Sequence, residues 1–133
     1  MAARPTQFHI EQVPADGVGP LIFRLVGDLD LSTVDRLRAA AGPACAAGNQ
    51  VVLDLSEVGF CDSTGLGTFV WLHRQATGAG GRLMLGAPRR TVRDVLKISG
   101  VDRAIPVLGR TAFGAVRAGT PRPDGDAPKA APR

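Results

Sequence analysis

The chain has 133 residues, 44% of them hydrophobic and 21% charged, with a formal net charge of +4. That length gives one domain room for a core, and the composition is that of an ordinary water-soluble globular chain. No apolar run approaches a membrane span, and the opening Met1-Ala2-Ala3-Arg4-Pro5 lacks the apolar stretch of a signal peptide. A cytoplasmic location, with no membrane partner, is expected.

The isoelectric point near 10.0 invites a nucleic-acid reading, but the distribution of charge weakens it. Arg110, Arg117, Arg122, Lys129 and Arg133 face only Asp124 and Asp126, so most of the excess sits in the C-terminal stretch. Cys45 and Cys61 have neither metal-ligand spacing nor a disulfide framework, which reads as two small buried hydrophobes in a reducing compartment.

Taken in chain order, Gln7 to Val13 reads as a first strand, with Phe8, Ile10 and Val13 turned inward. Pro14 to Pro20 is a turn, and Leu21 to Val26 a β-branched and aromatic second strand, so the two form an antiparallel hairpin. Gly27-Asp28-Leu29-Asp30-Leu31 leads to Ser32, which reads as the cap of a helix whose apolar face is Val34, Leu37, Ala41 and Ala44. Pro43 either kinks that helix or restarts it. Asn49 to Leu55 is apolar nearly throughout, the pattern of a central strand buried on both faces. A helix follows from Thr64 to about Ala76, with Leu66, Phe69, Val70 and His73 along one side and His73 satisfied in the core. Gly78 to Gly81 ends it. Arg82 to Gly86 is the fourth strand, Pro88 starts a third helix ending near Ser99-Gly100, and Ile105 to Leu108 is an edge strand because Pro106 cannot donate to a ladder. Thr111 to Arg117 is a last short helix. The expected fold class is α/β: one domain over 1–118, a mixed and mainly parallel sheet packed with about four helices. Residues 119–133, Pro-rich and without an aromatic side chain, read as a disordered tail.

The run Phe60-Cys61-Asp62-Ser63-Thr64-Gly65-Leu66-Gly67 carries the functional signal. It joins a buried strand to an apolar-periodic helix, which places the Ser63 and Thr64 hydroxyls at a helix N-terminus. Free backbone N–H groups and the helix dipole favour negative charge there. A hydroxyl in that position can cap the helix, and it can also carry a phosphate with little damage to the fold.

In this context Asp62-Ser63-Thr64-Gly65-Leu66-Gly67 resembles the phosphorylation segment of the anti-sigma factor antagonists, small bacterial proteins of the STAS fold. Gly27-Asp28-Leu29-Asp30, Val52-Leu53-Asp54-Leu55 and Ile98-Ser99-Gly100-Val101 also look like family segments, so the resemblance spans roughly residues 8–117. It implies that Ser63 is phosphorylated by a partner, an ATP-binding anti-sigma factor that is also a serine kinase. It further implies that a serine phosphatase resets the site, and that only the unphosphorylated form binds the anti-sigma factor and frees a sigma factor. Asp28, Asp30, Asp62, Thr64, Gly65, Leu66 and Gly67 are the implied partner contacts, Gly65 and Gly67 by letting a partner backbone approach. Loop solvation also accounts for Asp28 and Asp30, and Thr64 is the second choice as phosphate acceptor. A homodimer stays open.

No cofactor, metal set or catalysis is expected, because no nucleophile stands with a base and Gly65-x-Gly67 lacks the full dinucleotide or P-loop pattern. The alternative within the fold is an interaction subunit of another assembly, a stress-sensing complex or a lipid-transport ATPase. Arg89, Arg90, Arg93 and Lys97 fall near one helical face, read as solvated or as pairing with a partner's acids.

Overall fold

A computed structural model describes residues 8–14 and 19–118. The expected tail, 119–133, and residues 15–18 of the first turn lie outside the described residues. The order is β1 (His9–Gln12), β2 (Leu21–Leu29), α1 (Val34–Ala46), β3 (Gln50–Cys61), α2 (Ser63–Gly78), β4 (Arg82–Gly86), α3 (Arg90–Ser99), α4 (Val101–Ala104), β5 (Val107–Leu108) and α5 (Arg110–Ala118). One sheet runs β1-β2-β3-β4-β5. The β1–β2 pair is antiparallel and the other three pairs are parallel. The α/β class and the opening hairpin are as the sequence predicts.

Period-two alternation divides the apolar side chains between the two faces of the sheet. Phe23 and Leu25 of β2, Val51, Leu53 and Leu55 of β3, and Leu83 and Leu85 of β4 turn to one face. There they meet Leu37 and Ala41 of α1, Phe69 and Leu72 of α2, and Val92 and Leu96 of α3. The intervening Ile22, Val52 and Met84 turn to the other face, where Phe113 of α5 covers them. Residues 51–55 of β3 are buried throughout, as expected of the central strand.

Several local expectations are corrected. β2 runs on to Leu29 and β3 to Cys61, because Gly27, Asp28 and Leu29 continue the ladder against Val58, Phe60 and Cys61 after register shifts that interrupt it. Ser32 does not cap α1. The cap position is Thr33, without a side-chain cap bond, and the Ser32 hydroxyl donates instead to Asp30 Oδ1 at 2.6 Å. α1 passes through Pro43 as one helix. Pro43 lacks the N–H that would bond the preceding turn, and its ring is on the exposed side of the helix. Cys45 takes the buried place predicted for Ala44. α3 starts at Arg90, two residues after Pro88. A single turn, α4, follows the left-handed Gly100 and went unforeseen. His73 is not satisfied: its Nδ1 is buried with no hydrogen-bond partner among the described residues. Both cysteines are free and buried.

Candidate functional site

β2, β3 and α2 converge where β3 ends. The Asp62 N–H donates to the Leu29 carbonyl at 3.1 Å, which ties the end of β3 to the end of β2. Asp62 then caps α2: its Oδ1 accepts from the Thr64 and Gly65 N–H groups at 2.9 and 3.1 Å. Its carbonyl accepts from the Leu66 N–H at 3.0 Å. The capping role foreseen for the Ser63 and Thr64 hydroxyls therefore belongs to the acidic residue before them.

Ser63 is left as the first residue of α2, exposed, with its hydroxyl unpartnered among the described residues. Thr64 and Leu66 are half-buried, and Gly67 is exposed. Gly65 is not available to a partner. It is buried, and a Cβ there would come 2.6 Å from Cys61 Sγ and 3.1 Å from the Leu29 carbonyl oxygen. It seats the first turn of α2 against the strand ends. At Gly67 a Cβ would meet nothing within 4 Å, so that position alone of the two leaves an open approach.

The β2–α1 loop flanks this helix end. Asp30 Oδ1 accepts from the Ser32 N–H at 2.9 Å and from the Ser32 hydroxyl at 2.6 Å. The Ser32 hydroxyl above all, with its N–H, holds the Asp30 carboxyl below the usual carboxylate range. The Thr33 hydroxyl accepts from the Asp30 N–H at 3.0 Å and donates to the Asp28 carbonyl at 2.8 Å. Asp30 thus shapes the loop, whereas the Asp28 carboxylate is exposed and has no hydrogen-bond partner among the described residues. Asp28 pairs with Phe60 across the ladder, and its Oδ1 lies 3.5 Å from where a Gly59 Cβ would stand. The structure so gathers Asp28, Asp30, Asp62, Ser63 and Thr64 at the strand ends and puts Gly65 inside.

Two apolar side chains of this region escaped the sequence reading. Leu31 is 78% exposed and Phe60 is 52% exposed, one beside each acidic segment. The available signal was a large apolar residue flanking Asp30 and Asp62 at positions the core has no room to cover. Cys61 is inert by contrast. Burial, with the Asp62 charge adding to it, pushes its thiol up to about 12.

The family model for the STAS domain matches residues 9–113. The chain belongs to the STAS family. It is 31% identical over 96 residues to an anti-sigma F factor antagonist of Lysinibacillus sphaericus, a match covering 71% of this chain and 80% of that one. An anti-sigma factor antagonist from Mycobacterium paratuberculosis superposes with a TM-score of 0.68 at 26% identity, covering 82% of this chain and 95% of the other. The Bacillus cell fate determinant SpoIIAA in its phosphorylated form superposes with a TM-score of 0.61 at 26% identity, covering 84% and 98%. This STAS domain therefore has anti-sigma factor antagonists among its relatives, one of them solved with its phosphate in place.

Proposed function

We propose that this STAS domain is an anti-sigma factor antagonist whose affinity for its partner is set by phosphorylation of Ser63. The observation that carries the reading is the exposed Ser63 hydroxyl, without a partner among the described residues, directly after the Asp62 cap. An anti-sigma factor with serine kinase activity binds the hydroxyl form and phosphorylates it, a serine phosphatase restores it, and the bound state frees a sigma factor. The protein acts by binding and not by turnover.

The cap geometry supplies the switch. A phosphate brings about −1.5 to −2 charge. Asp62 already occupies the Thr64 and Gly65 N–H groups, so a phosphate on Ser63 cannot use them to neutralise itself. It also lies next to the Asp62 carboxylate. The added charge falls instead on the partner interface, where a badly paired buried charge costs about 2–5 kcal/mol. That corresponds to more than a tenfold loss of affinity.

The test is binding of the host's anti-sigma kinase to wild type, Ser63→Ala and Ser63→Asp, with mass spectrometry locating the phosphate after incubation with ATP. Wild type and Ser63→Ala bind alike, Ser63→Asp binds at least tenfold more weakly, and the phosphate is on Ser63. Equal binding of all three, or retention of a membrane ATPase or large sensor complex in the kinase's place, would sink the reading.

A further inference from the structure

Four basic side chains beside α3, Arg89, Arg90, Arg93 and Lys97, are exposed, as expected of a solvated face, and that face is hollowed. Together with Arg110, brought from the start of α5, they line a cavity of about 380 Å³. That volume is at the small end of the range for ligand sites. Asp94 lines it too, yet none of the five cations makes an ion pair among the described residues. Arg89 is held in place, its Nε donating to the Ser56 carbonyl at 2.9 Å.

The backbone adds to the same field. α3 has ten residues, and its cap residue Arg89 offers no side-chain bond. The first amide bond made by α3 is from Arg93 to the Arg89 carbonyl. Among the described residues the N–H groups of Arg90, Thr91 and Val92 have no acceptor, and of these three residues Arg90 lines the cavity, beside Pro88 and Arg89. Five cations against the single carboxylate of Asp94, with the N-terminus of α3 at the edge of the hollow, call for several anionic oxygens at once. Guanidinium forks suit phosphate oxygens bidentately. A second hollow of about 250 Å³ shares Arg93 and Lys97 and is lined further by Leu96, Val107, Gly109 and one acid, Asp102; Leu96 itself is buried, so Val107 is its accessible apolar side chain.

We propose that this cavity binds a small anion carrying a pyrophosphate group, either free or as the head of a molecule whose apolar body occupies the Leu96–Val107 hollow. The site is separate from Ser63 and does not depend on the phosphorylation reading. Arg89 reaches toward that region: its Nη1 lies 3.9 Å from where a Gly59 Cβ would stand, beside Asp28.

The experiment is calorimetric titration of the full chain at moderate salt with inorganic pyrophosphate and, separately, with isopentenyl pyrophosphate. Saturable one-to-one binding is expected, at least tenfold weaker in Arg93→Ala and in Arg110→Ala and unchanged in Arg74→Ala, a remote basic control. Equal affinity for the two probes assigns the free anion. Tighter binding of isopentenyl pyrophosphate, lost on Val107→Ser, assigns the organic form. No saturable binding of either probe overturns the proposal, and so does equal affinity for sulfate. A hexaglutamate peptide that binds more tightly than pyrophosphate gives the cavity to an acidic protein segment, which also overturns it.

Discussion

The Asp62 carboxylate bonds the Gly65 backbone N–H at 3.1 Å, and this contact joins the chemistry of the site to its packing. It draws the first turn of α2 down onto Cys61 and Leu29 at a position where no Cβ fits. Ser63, between the two residues, is thereby turned outward on a rigid support.

Removing that cap destabilises the domain. Asp62→Ala leaves the Thr64 and Gly65 N–H groups without their protein acceptor and costs about 1 kcal/mol. Asp62→Asn keeps an acceptor oxygen and most of the stability. Urea unfolding of the three proteins reads the difference as a shift of midpoint at unchanged slope. A midpoint for Asp62→Ala equal to wild type would contradict the capping role.

Gly65 and Gly67 separate under the same substitution. Gly65→Ala forces a methyl group to within 2.6 Å of Cys61 Sγ, and overpacking of this kind costs about 1–3 kcal/mol. Gly67→Ala meets open space inside a helix, and alanine there gains about 0.5–1 kcal/mol from helix propensity. Thermal unfolding checks both signs: a lower midpoint for the first and a higher one for the second. If Gly67→Ala also weakens partner binding while the fold is stabilised, the open approach at Gly67 is part of the interface.

How far the sequence discloses such a site depends on which residues carry the information. The central strand is legible because Val51 to Leu55 are buried on both faces, so a run apolar at every position but Asp54 was forced on the sequence. The strand–turn–helix junction at Ser63 is legible for a related reason, since apolar periodicity changes there from strand to helix. The continuation of β3 through Ser56, Glu57 and Gly59 is not. These are poor strand formers, held extended because Glu57, Val58, Phe60 and Cys61 pair with Val26, Gly27, Asp28 and Leu29. The exchange of cap from Ser63 or Thr64 to Asp62 turns on backbone dihedrals, because Asp62 is extended and Ser63 is already helical. Arg110 read as part of a basic tail, and only the return of the chain through β5 sets it beside α3. Local pattern gives elements, and long-range pairing decides which side chains share a surface.

The two thiols should be silent until alkaline pH. Burial raises Cys45 to about 11 and Cys61 to about 12 from an ordinary 9.0. A folded-state value above the unfolded one means that the native state holds its proton longer. The stability from burying the neutral thiols is therefore fully present below pH 9 and is lost as pH rises toward those folded values. Iodoacetamide at pH 8 should leave the native protein unmodified and label both cysteines in urea. Rapid labelling of Cys61 in the native state would show that its burial is not maintained in solution.

Leu31 and Phe60 supply the last test, because exposed apolar side chains beside charged ones are a mark of interaction surfaces. Their positions bracket Ser63 through two different segments: Leu31 follows Asp30 in the β2–α1 loop, and Phe60 pairs with Asp28 at the end of the ladder. Neither contributes much to the core, being 78% and 52% exposed, so Leu31→Ser and Phe60→Ser should each change stability by less than about 1 kcal/mol. If the partner docks over Ser63, an apolar anchor at the centre of that interface is worth about 2 kcal/mol or more on truncation. Each variant should then bind the anti-sigma kinase at least tenfold more weakly while remaining folded. The double variant also separates contact from charge, because it weakens binding without a phosphate and leaves Ser63 chemically intact. Phosphorylation by the kinase should slow in proportion to the lost affinity when the kinase is dilute, and recover at saturating kinase. Full affinity in both variants would place the partner on another face of the domain.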